Sequence, residues 1–585
     1  MTFVIFTTVL LGLLAKIFIP IWRNYVAARE TGLPIVTSLI DPTSALWALT
    51  KRIFLPYLSL LPGDVGRNSK LNVFGWQFRA KNTVHQRLGN VFVQVTPSHN
   101  IVNIADPDLI QQVFQRIDDF PKPRQIYRRL EVFGPNLDSL NGDDWKRHRK
   151  LTAPAFNERV SSLVWEEGST QARLLLEVIY ATSTRTTQNI TETCQAIAHH
   201  VLAYAGFGVR SQHGIDVTDL PPGHQLAYND ALCTVLANMV LAIVMPARVL
   251  TSSLAPKRWQ KVGLAFREFS KYMQEILEQE RTTTENGIAV GGSPRRSESL
   301  TSALIKASEE EKNTAGKDSA KGLSDEEVYG NMFIFNFAGQ DTTANTMAYA
   351  IALMAIHPEI QEWVREEVVA VFSQHNPQEY DQVFPLLKRV RALMYETLRL
   401  YPPIVYLPKL TSSTPTVLSA TDGDSQRRDI VIPPNSYVVV NFMHLHCSHE
   451  LWGKNALKFR PSRWIASPDS HETSSGSGYS KDEKLERPPP GAFIPWAMGP
   501  RNCPGMKFAQ VEFVSVIASL LVDSRVEAAL PPALQDQAEL KGLHGMEITD
   551  LARERLSSVV EDSDVRVTTT MLRPDEVWLR WRRIT

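Results

Sequence analysis

The most extended apolar pattern in the chain lies over residues 324–356. Ser324 and Glu327 form a capping box at its start, and Pro358 forbids extension past its end. The middle is largely apolar, so the stretch predicts a long helix crossing a core. Polar residues cluster there at Asn336 and over 340–346. Gly339 and the Asp341–Thr342 pair weaken a helix interior. Such a departure is expected where function outweighs stability; its bland alternative is a helical threonine bonding its own turn. Residues 358–372 and 386–400 read as amphipathic helices, the second stopped by Pro402 and Pro403, and 506–521 as a mostly apolar one. Residues 141–150 open a helix with Asp143 and Asp144 in its first turn. Two short β-rich runs, 91–95 and 101–104, flank the turn-forming Pro97-Ser98-His99-Asn100, and 565–584 alternates in strand fashion.

The N-terminus has another character. Residues 3–22 are apolar apart from Lys16 and a few weakly polar positions, close to the ~20 residues a membrane span needs. Lys16 could snorkel. No basic start and no small-residue cleavage site is present, which argues against a signal peptide. Arg23, Arg29, Lys51 and Arg52 follow the run, so the body is expected to stay cytosolic. Residues 41–61 read as a segment lying on the membrane surface or packing on the core. The apolar stretch 231–246 is too short to span. Residues 281–322 are polar enough for a flexible linker with one short helix near 300–305, and 466–490 looks like an inserted surface loop.

Composition excludes several classes. Lys+Arg and Asp+Glu are both 62 over 585 residues, and no basic stripe suggests nucleic acid. Four scattered cysteines (Cys194, Cys233, Cys447, Cys503) contain no Cys-x-x-Cys pair, which speaks against zinc and iron–sulfur sites. They form no disulfide framework, and a reducing compartment fits. Length alone would suggest about four domains.

One cysteine stands apart. Residues 496–505 read Trp-Ala-Met-Gly-Pro-Arg-Asn-Cys-Pro-Gly. A glycine-bracketed turn that aims one thiolate outward suits axial ligation of a haem iron. Gly499 and Gly505 would let backbone approach a flat ring. Pro504 fits the first position of a helix, which would place Cys503 at a helix N-terminus, where N–H groups stabilise a thiolate. The stretch resembles the haem-binding loop of the cytochrome P-450 superfamily, Phe-x-x-Gly-x-Arg-x-Cys-x-Gly, with Trp496 in place of Phe.

Further motifs follow in the family's order. Ala338-Gly339-Gln340-Asp341-Thr342-Thr343 matches the oxygen-activating motif. The resemblance implies that Gly339 opens the helix, Thr342 holds oxygen and its waters, and Asp341 relays protons. Trp145 and Arg149, four apart on one helical face, match a propionate-binding pair; Arg501, with Cys503, belongs to the cofactor set. Lys146, Arg147 and Lys150 could then face an acidic electron donor. Glu396-x-x-Arg399, with Arg463, matches a structural triad behind the haem. Phe337, Ala338, Val405 and Tyr406 would line the substrate pocket, and Lys409 could reach a propionate.

The resemblance, over residues 62–585, implies one large, mostly α haem domain with small β-sheets; the apolar run before it is expected to make 1–23 a transmembrane anchor, with 24–61 a membrane-proximal linker. It implies a haem b cofactor, dioxygen, an apolar small substrate, membrane lipid and an NADPH-dependent flavoprotein reductase as partners, in the endoplasmic reticulum membrane, most similar to fungal secondary-metabolite oxidation. The alternatives are a housekeeping fatty-acid or sterol hydroxylase, and a haem-thiolate isomerase or dehydratase, which has no need of Asp341 and Thr342. A fatty-acid peroxygenase normally carries an arginine in the oxygen-side helix, and none lies between Asn331 and Ile356.

Overall fold

A computed structural model describes residues 2–209, 220–238, 241, 245, 247–286, 299–315, 322–421, 427–466 and 479–584. The first helix, α1, runs Thr2–Arg29. Among the described residues no helix is long and apolar enough to cross a membrane, so the expected span does not emerge from the fold; the side chains of residues 3–6, 8–10 and 13 lie outside the described set. The last turns of α1 belong to the globular body. Ile21 and Ala28 are buried in the hydrophobic cluster of the main sheet. Asn24 Nδ2 donates to Thr96 O (2.9 Å) and Asn100 Nδ2 donates to Asn24 O (3.0 Å).

Helix α2 (Ala45–Ser59) is capped by Ser44. It is pinned by Trp47, whose indole donates to Asn72 O at 2.6 Å. Its outer face leaves Leu46, Leu49, Ile53, Phe54, Tyr57 and, just beyond, Leu60 more than half exposed.

The main sheet contains β1 (Ile35–Thr37), β2 (Val91–Val95), β3 (Asn100–Ile104), β4 (Tyr406–Leu410) and β5 (Tyr437–Asn441), in the spatial order β1-β2-β3-β5-β4. β2 and β3 pair antiparallel with Val91 opposite Ile104. The loop of Pro97 to Asn100 that joins them is the turn the sequence predicts. The C-terminal strand Trp578–Arg583 lies between Ser524–Ala528 and Thr186–Gln188 in a second sheet.

Helices carry the rest: α3 (Pro107–Gln115), α4 (Gly142–Thr152), α5 (Glu158–Ala181), α6 (Ile190–Val201), α7 (Tyr228–Ala237), α8 (Lys257–Asn286), α9 (Leu300–Ala315), α10 (Asp325–Ile356), α11 (Pro358–Gln374), α12 (Lys388–Leu400) and α13 (Met506–Leu521). The capping box of α10 is present as read from the sequence, with Ser324 and Glu327 reciprocally bonded. From Asn331 to Asn336 and from Thr343 to Ala355 the helix is buried throughout. It packs against α6, α12 and α13, which removes apolar surface from water on all sides, the dominant favourable term in folding.

One expectation is corrected by packing. The linker over 281–322 is largely helical: α8 continues to Asn286 and α9 takes Leu300–Ala315. Leu300, Leu304 and Ile305 are buried, and Arg281 pairs with both Glu309 and Asp325 (3.2 and 2.5 Å), tying α8, α9 and α10 together. Burial and ion pairing outweigh the polar composition. Residues 287–298 and 316–321 lie outside the described residues. Of the apolar stretch 231–246, α7 takes the first half; most of 239–246 lies outside, as does 467–478 of the inserted loop.

Candidate active site

The cysteine turn is built from two left-handed residues, Ala497 (φ +57°) and Gly499 (φ +71°). At Gly499 a side chain is excluded twice: a Cβ would also sit 2.7 Å from Phe114 O of α3. Cys503 N closes the turn on Trp496 O at 2.9 Å. The next helix starts at Met506 with Gly505 as its N-cap, so Pro504 lies outside it and Cys503 is not at its first turn. A backbone donor still reaches the sulfur: Gly505 N–H bonds the Cys503 thiol. Burial pushes that thiol up; the Gly505 N–H, then Arg149 and Lys122, pull it back. Cys503 sits deep, yet its surface is exposed. A deep side chain with free surface faces an internal chamber. Phe156 touches the turn, 3.7 Å from the place of a Gly505 Cβ. It also stacks edge-on against Phe335 of α10 at 5.3 Å, so one ring joins the cysteine turn to the long helix.

Positive charge surrounds this turn. Arg149 donates to Asn502 O at 2.9 Å and to Asn502 Oδ1 at 2.6 Å. Arg501 donates to Asn141 Oδ1 (2.7 Å) and Leu140 O (2.6 Å) and lies over the Trp145 ring at 4.8 Å. Trp145 and Arg149 thus share a helical face, as their spacing requires, and both grip the cysteine loop. Lys122 pairs with Asp138. Lys409 on β4 is 1% exposed and has no hydrogen bond or ion pair among the described residues; its ammonium lies 5.4 Å from the Phe114 ring. Burial, then Lys122 and Arg501, push its pKa down to about 7. Burial likewise lowers Arg501 to about 10. Four cations converge on a site where Asp138 is the carboxylate that acts on three of them, Lys122, Lys409 and Arg501. Buried charge is expensive unless compensated, so the chamber suits a dianionic ligand. A haem with two carboxylates fits that donor set, and the free thiol fits its iron.

The polar break of the long helix is less buried than the turns on either side of it. Phe337 and Gly339 to Thr342 are half-buried and Ala338 is exposed, although the turns on both sides are buried. The helix does not open at Gly339; α10 is continuous from Asp325 to Ile356. The glycine serves a neighbour instead, since a Cβ there would lie 3.0 and 3.2 Å from the methyls of Leu202. The Thr342 hydroxyl donates to Ala338 O at 2.8 Å, one turn back, the local bond a helical threonine prefers. Asp341 accepts from Gln195 Nε2 of α6 at 3.2 Å. Burial raises the Asp341 pKa and the Gln195 amide partly lowers it.

Behind the turn, Glu396 and Arg399 are fully buried. Arg399 meets both Glu396 oxygens (2.9 and 2.8 Å), and Arg463 Nε donates to Glu396 Oε1 at 3.0 Å. Sequence reasoning missed two further donors, the Trp464 indole (3.0 Å) and the Arg460 backbone N–H (2.9 Å). Arg399 also donates to His446 O at 2.6 Å, which ties helix α12 to the chain after β5. Val405 is buried with Leu400, Met443 and Cys447, while Tyr406 meets Phe74 edge-on at 5.7 Å. Of the helix α4 cations, Arg147 is held by Glu327 (2.6 Å) and Lys150 by Glu311 (2.9 Å), so neither is a free surface charge. The signal for Asn502 as Arg149's partner lay in the cysteine motif itself; nothing local pointed to Gln195.

A helical body crossed by one polar-broken helix, with a deep free thiol among four cations, three of which share one carboxylate, defines a haem-thiolate type of protein. The chain belongs to the cytochrome P450 family: the family model described as Cytochrome P450 matches residues 70–539. Membership brings monooxygenase activity and a haem-iron cofactor. A cytochrome P450 monooxygenase of Arthrobotrys oligospora is 29% identical over 558 residues, 90% of this chain and 92% of that one. A phomenoic acid biosynthesis cluster cytochrome P450 monooxygenase of Leptosphaeria maculans is 31% identical over 563 residues, 89% and 92%. An 11-oxo-beta-amyrin 30-oxidase of Medicago truncatula is 25% identical over 448 residues, 75% of each chain. A solved cytochrome P450, CYP102L1, superposes with a TM-score of 0.58 at 19% identity, covering 87% of this chain and 94% of that one.

Proposed function

We propose that this chain oxidises an apolar small molecule of fungal secondary metabolism, taking electrons from NADPH through a flavoprotein reductase and inserting one atom of dioxygen. The observation that carries the site assignment is the deep, exposed Cys503 thiol amid Lys122, Arg149, Lys409 and Arg501. The Leptosphaeria maculans relative, from a biosynthesis cluster, supports the metabolic setting. When bound, the haem supplies the dioxygen chemistry. Cys503 would hold the iron, and the cations the two carboxylates, with Trp145 keeping Arg501 in place.

The residues of α10 would govern protons. Asp341, its proton held to higher pH than an ordinary carboxylate by burial, is placed to pass a proton as a general acid or base. A threonine hydroxyl has one proton to donate and two lone pairs. The proton of Thr342 is spent on Ala338 O, so toward the chamber it accepts, orienting a water or a substrate hydroxyl. Phe337 and Ala338 offer apolar surface to substrate, with Tyr406 behind. Residues 3–22 would anchor the chain in the endoplasmic reticulum membrane with the body cytosolic; the apolar run and the basic residues after it support this.

The test is the carbon monoxide difference spectrum of the reduced protein. Cys503→Ala should abolish the Soret shift of thiolate ligation, while Cys194→Ala, Cys233→Ala and Cys447→Ala keep it. A shift that survives Cys503→Ala ends the assignment. Metabolites compared with and without the gene would then identify the substrate.

A further inference from the structure

The carboxyl of Asp341 has an unusual setting for a buried acid in a long helix. No cation acts on it: burial and the Gln195 amide are the influences on its charge. Its partner comes from another element. Helix α6 packs along α10, and its continuation, the π-helical turn Leu202–Gly206, seats Leu202 against Gly339 at 3.0 Å from the missing Cβ. That close approach fixes the crossing of the two chain segments two residues before Asp341. On α6, Ile190, Thr191, Cys194, Ile197 and Ala198 are buried, whereas Gln195 is half-buried and reaches Asp341 Oδ1 with Nε2 at 3.2 Å. Asp341 Oδ2 has no protein partner among the described residues.

We propose that Gln195 is a positioning residue for Asp341: its neutral amide fixes the carboxyl rotamer through one oxygen and leaves the other free to exchange a proton. The proposal rests on reading Asp341 as the proton relay. An amide donor selects geometry without supplying charge. A lysine or arginine at the same place would stabilise the carboxylate, as opposite charges within ~4–6 Å do, and would hold the acid ionised. An aliphatic residue would leave the rotamer unfixed. The titratable groups that α6 and its π-helical turn carry are Glu192, Cys194, His199, His200 and Tyr204; on α10 the neighbours Gln340, Thr342, Thr343 and Asn345 are uncharged. None of them shifts the Asp341 carboxyl. The protonation state of Asp341 is therefore set by burial and by one replaceable amide.

The test reads the acid directly. In the haem-loaded protein, the infrared band of a protonated carboxyl that is present in the wild type and absent in Asp341→Asn belongs to Asp341, and its pH midpoint can be followed. Gln195→Lys should lower that midpoint by about one unit or more, Gln195→Glu should raise it, and Gln195→Leu should raise it and broaden the band as the rotamer is released. The reduced carbon monoxide spectrum checks that each variant is folded; if Gln195→Leu is not, the opposite shifts of the two charged variants decide. A midpoint unmoved in both charged variants overturns the proposal. Product formed per NADPH in Asp341→Asn tests the underlying reading separately. If turnover is unaffected there while the midpoints move, the relay reading falls and the positioning contact stands. If turnover collapses there while the midpoints stay fixed, the relay stands and Gln195 has no part in it.

Discussion

Arg149 grips Asn502, the residue before Cys503, through both its backbone carbonyl (2.9 Å) and its side-chain oxygen (2.6 Å). Helix α4 is itself locked to α10, where His148 Nδ1 meets Asn331 Nδ2 at 3.0 Å. The cysteine loop and the long helix α10 are therefore referenced to one short helix, although 353 residues separate Arg149 from Asn502.

Breaking that link should loosen the cofactor without unfolding the chain. Bonds to a charged group are worth about 1.5–3 kcal/mol each, so Arg149→Ala should speed haem loss about tenfold or more. Asn502→Ala removes one of the two bonds and should have a smaller effect. In the double variant the losses should not add. Haem transfer to an apo-globin acceptor measures each rate; additive losses would mean that the two residues act separately.

Lys409 sets a pH dependence in the haem-free protein. Its folded pKa is depressed, to about 7, below an unfolded value near 10.4. Folding therefore loses stability as pH falls and the buried ammonium must form. Lys409→Met should stabilise the haem-free protein below pH 7 by about one to several kcal/mol and narrow the gap at higher pH. The same change should weaken haem retention, because one cation facing the carboxylates is gone. Thermal unfolding with and without haem, from pH 6 to 9, reads both signs.

Glu396 gathers four donors in a fully buried site. Removing one member of a buried ion pair typically costs 3–5 kcal/mol, a large share of a domain's ~5–15 kcal/mol. Glu396→Ala should yield little haem protein in the carbon monoxide spectrum. Trp464→Phe deletes one donor of the four and should cost about 1 kcal/mol, leaving the spectrum intact with a lower unfolding temperature.

Thr342 and Asp341 should fail in different ways. Thr342→Ala removes a local bond to Ala338 and the hydroxyl proposed to orient a water, so haem content should hold while product per NADPH falls and peroxide rises. Asp341→Asn should slow turnover about 10²–10⁴-fold. Burial raises the Asp341 pKa, so the wild-type carboxyl favours folding while protonated and loses that contribution as pH rises through its folded pKa. Asp341→Asn should accordingly be at least as stable as wild type at pH 8. Full coupling in Thr342→Ala would assign the role to another group.

Deletion of residues 1–20 should weaken membrane association without abolishing it. The exposed face of α2, Leu46, Leu49, Ile53, Phe54 and Tyr57, is a contiguous apolar surface of the kind that marks an interaction site. Deleting further, through Ile21 to Ala28, should also destabilise the main sheet, whose cluster buries both residues. Flotation with phospholipid vesicles and a thermal melt separate the two effects. Asn189-Ile190-Thr191 has the Asn-x-Thr pattern of a glycosylation acceptor, but it is no simple reporter of topology. Asn189 caps α6 by accepting from Glu192 N–H, and its Nδ2 donates to Asp575 at 2.8 Å, so the acceptor nitrogen is occupied in the folded chain.

The sequence by itself determined what is local. The cap and stop of α10, the helix after Cys503, the Pro97 to Asn100 turn and the i,i+3 spacing of Glu396 and Arg399 all follow from contacts within a few residues, where propensity and periodicity act. The order of the motifs carried the family. Tertiary structure decided what depends on elements far apart in the chain. Residues 300–315 form a helix because Leu300, Leu304 and Ile305 find a core and Arg281 finds Glu309 and Asp325; composition alone reads as a linker. Gly339 admits Leu202 and does not break α10, since the requirement sits on the neighbouring helix. Gln195 became Asp341's partner, and Trp464 Glu396's, across 146 and 68 residues. Lys409 became an uncompensated charge only when burial removed its water. A side chain's partners and its cost of ionisation are properties of the packed surroundings, and no window of sequence contains them.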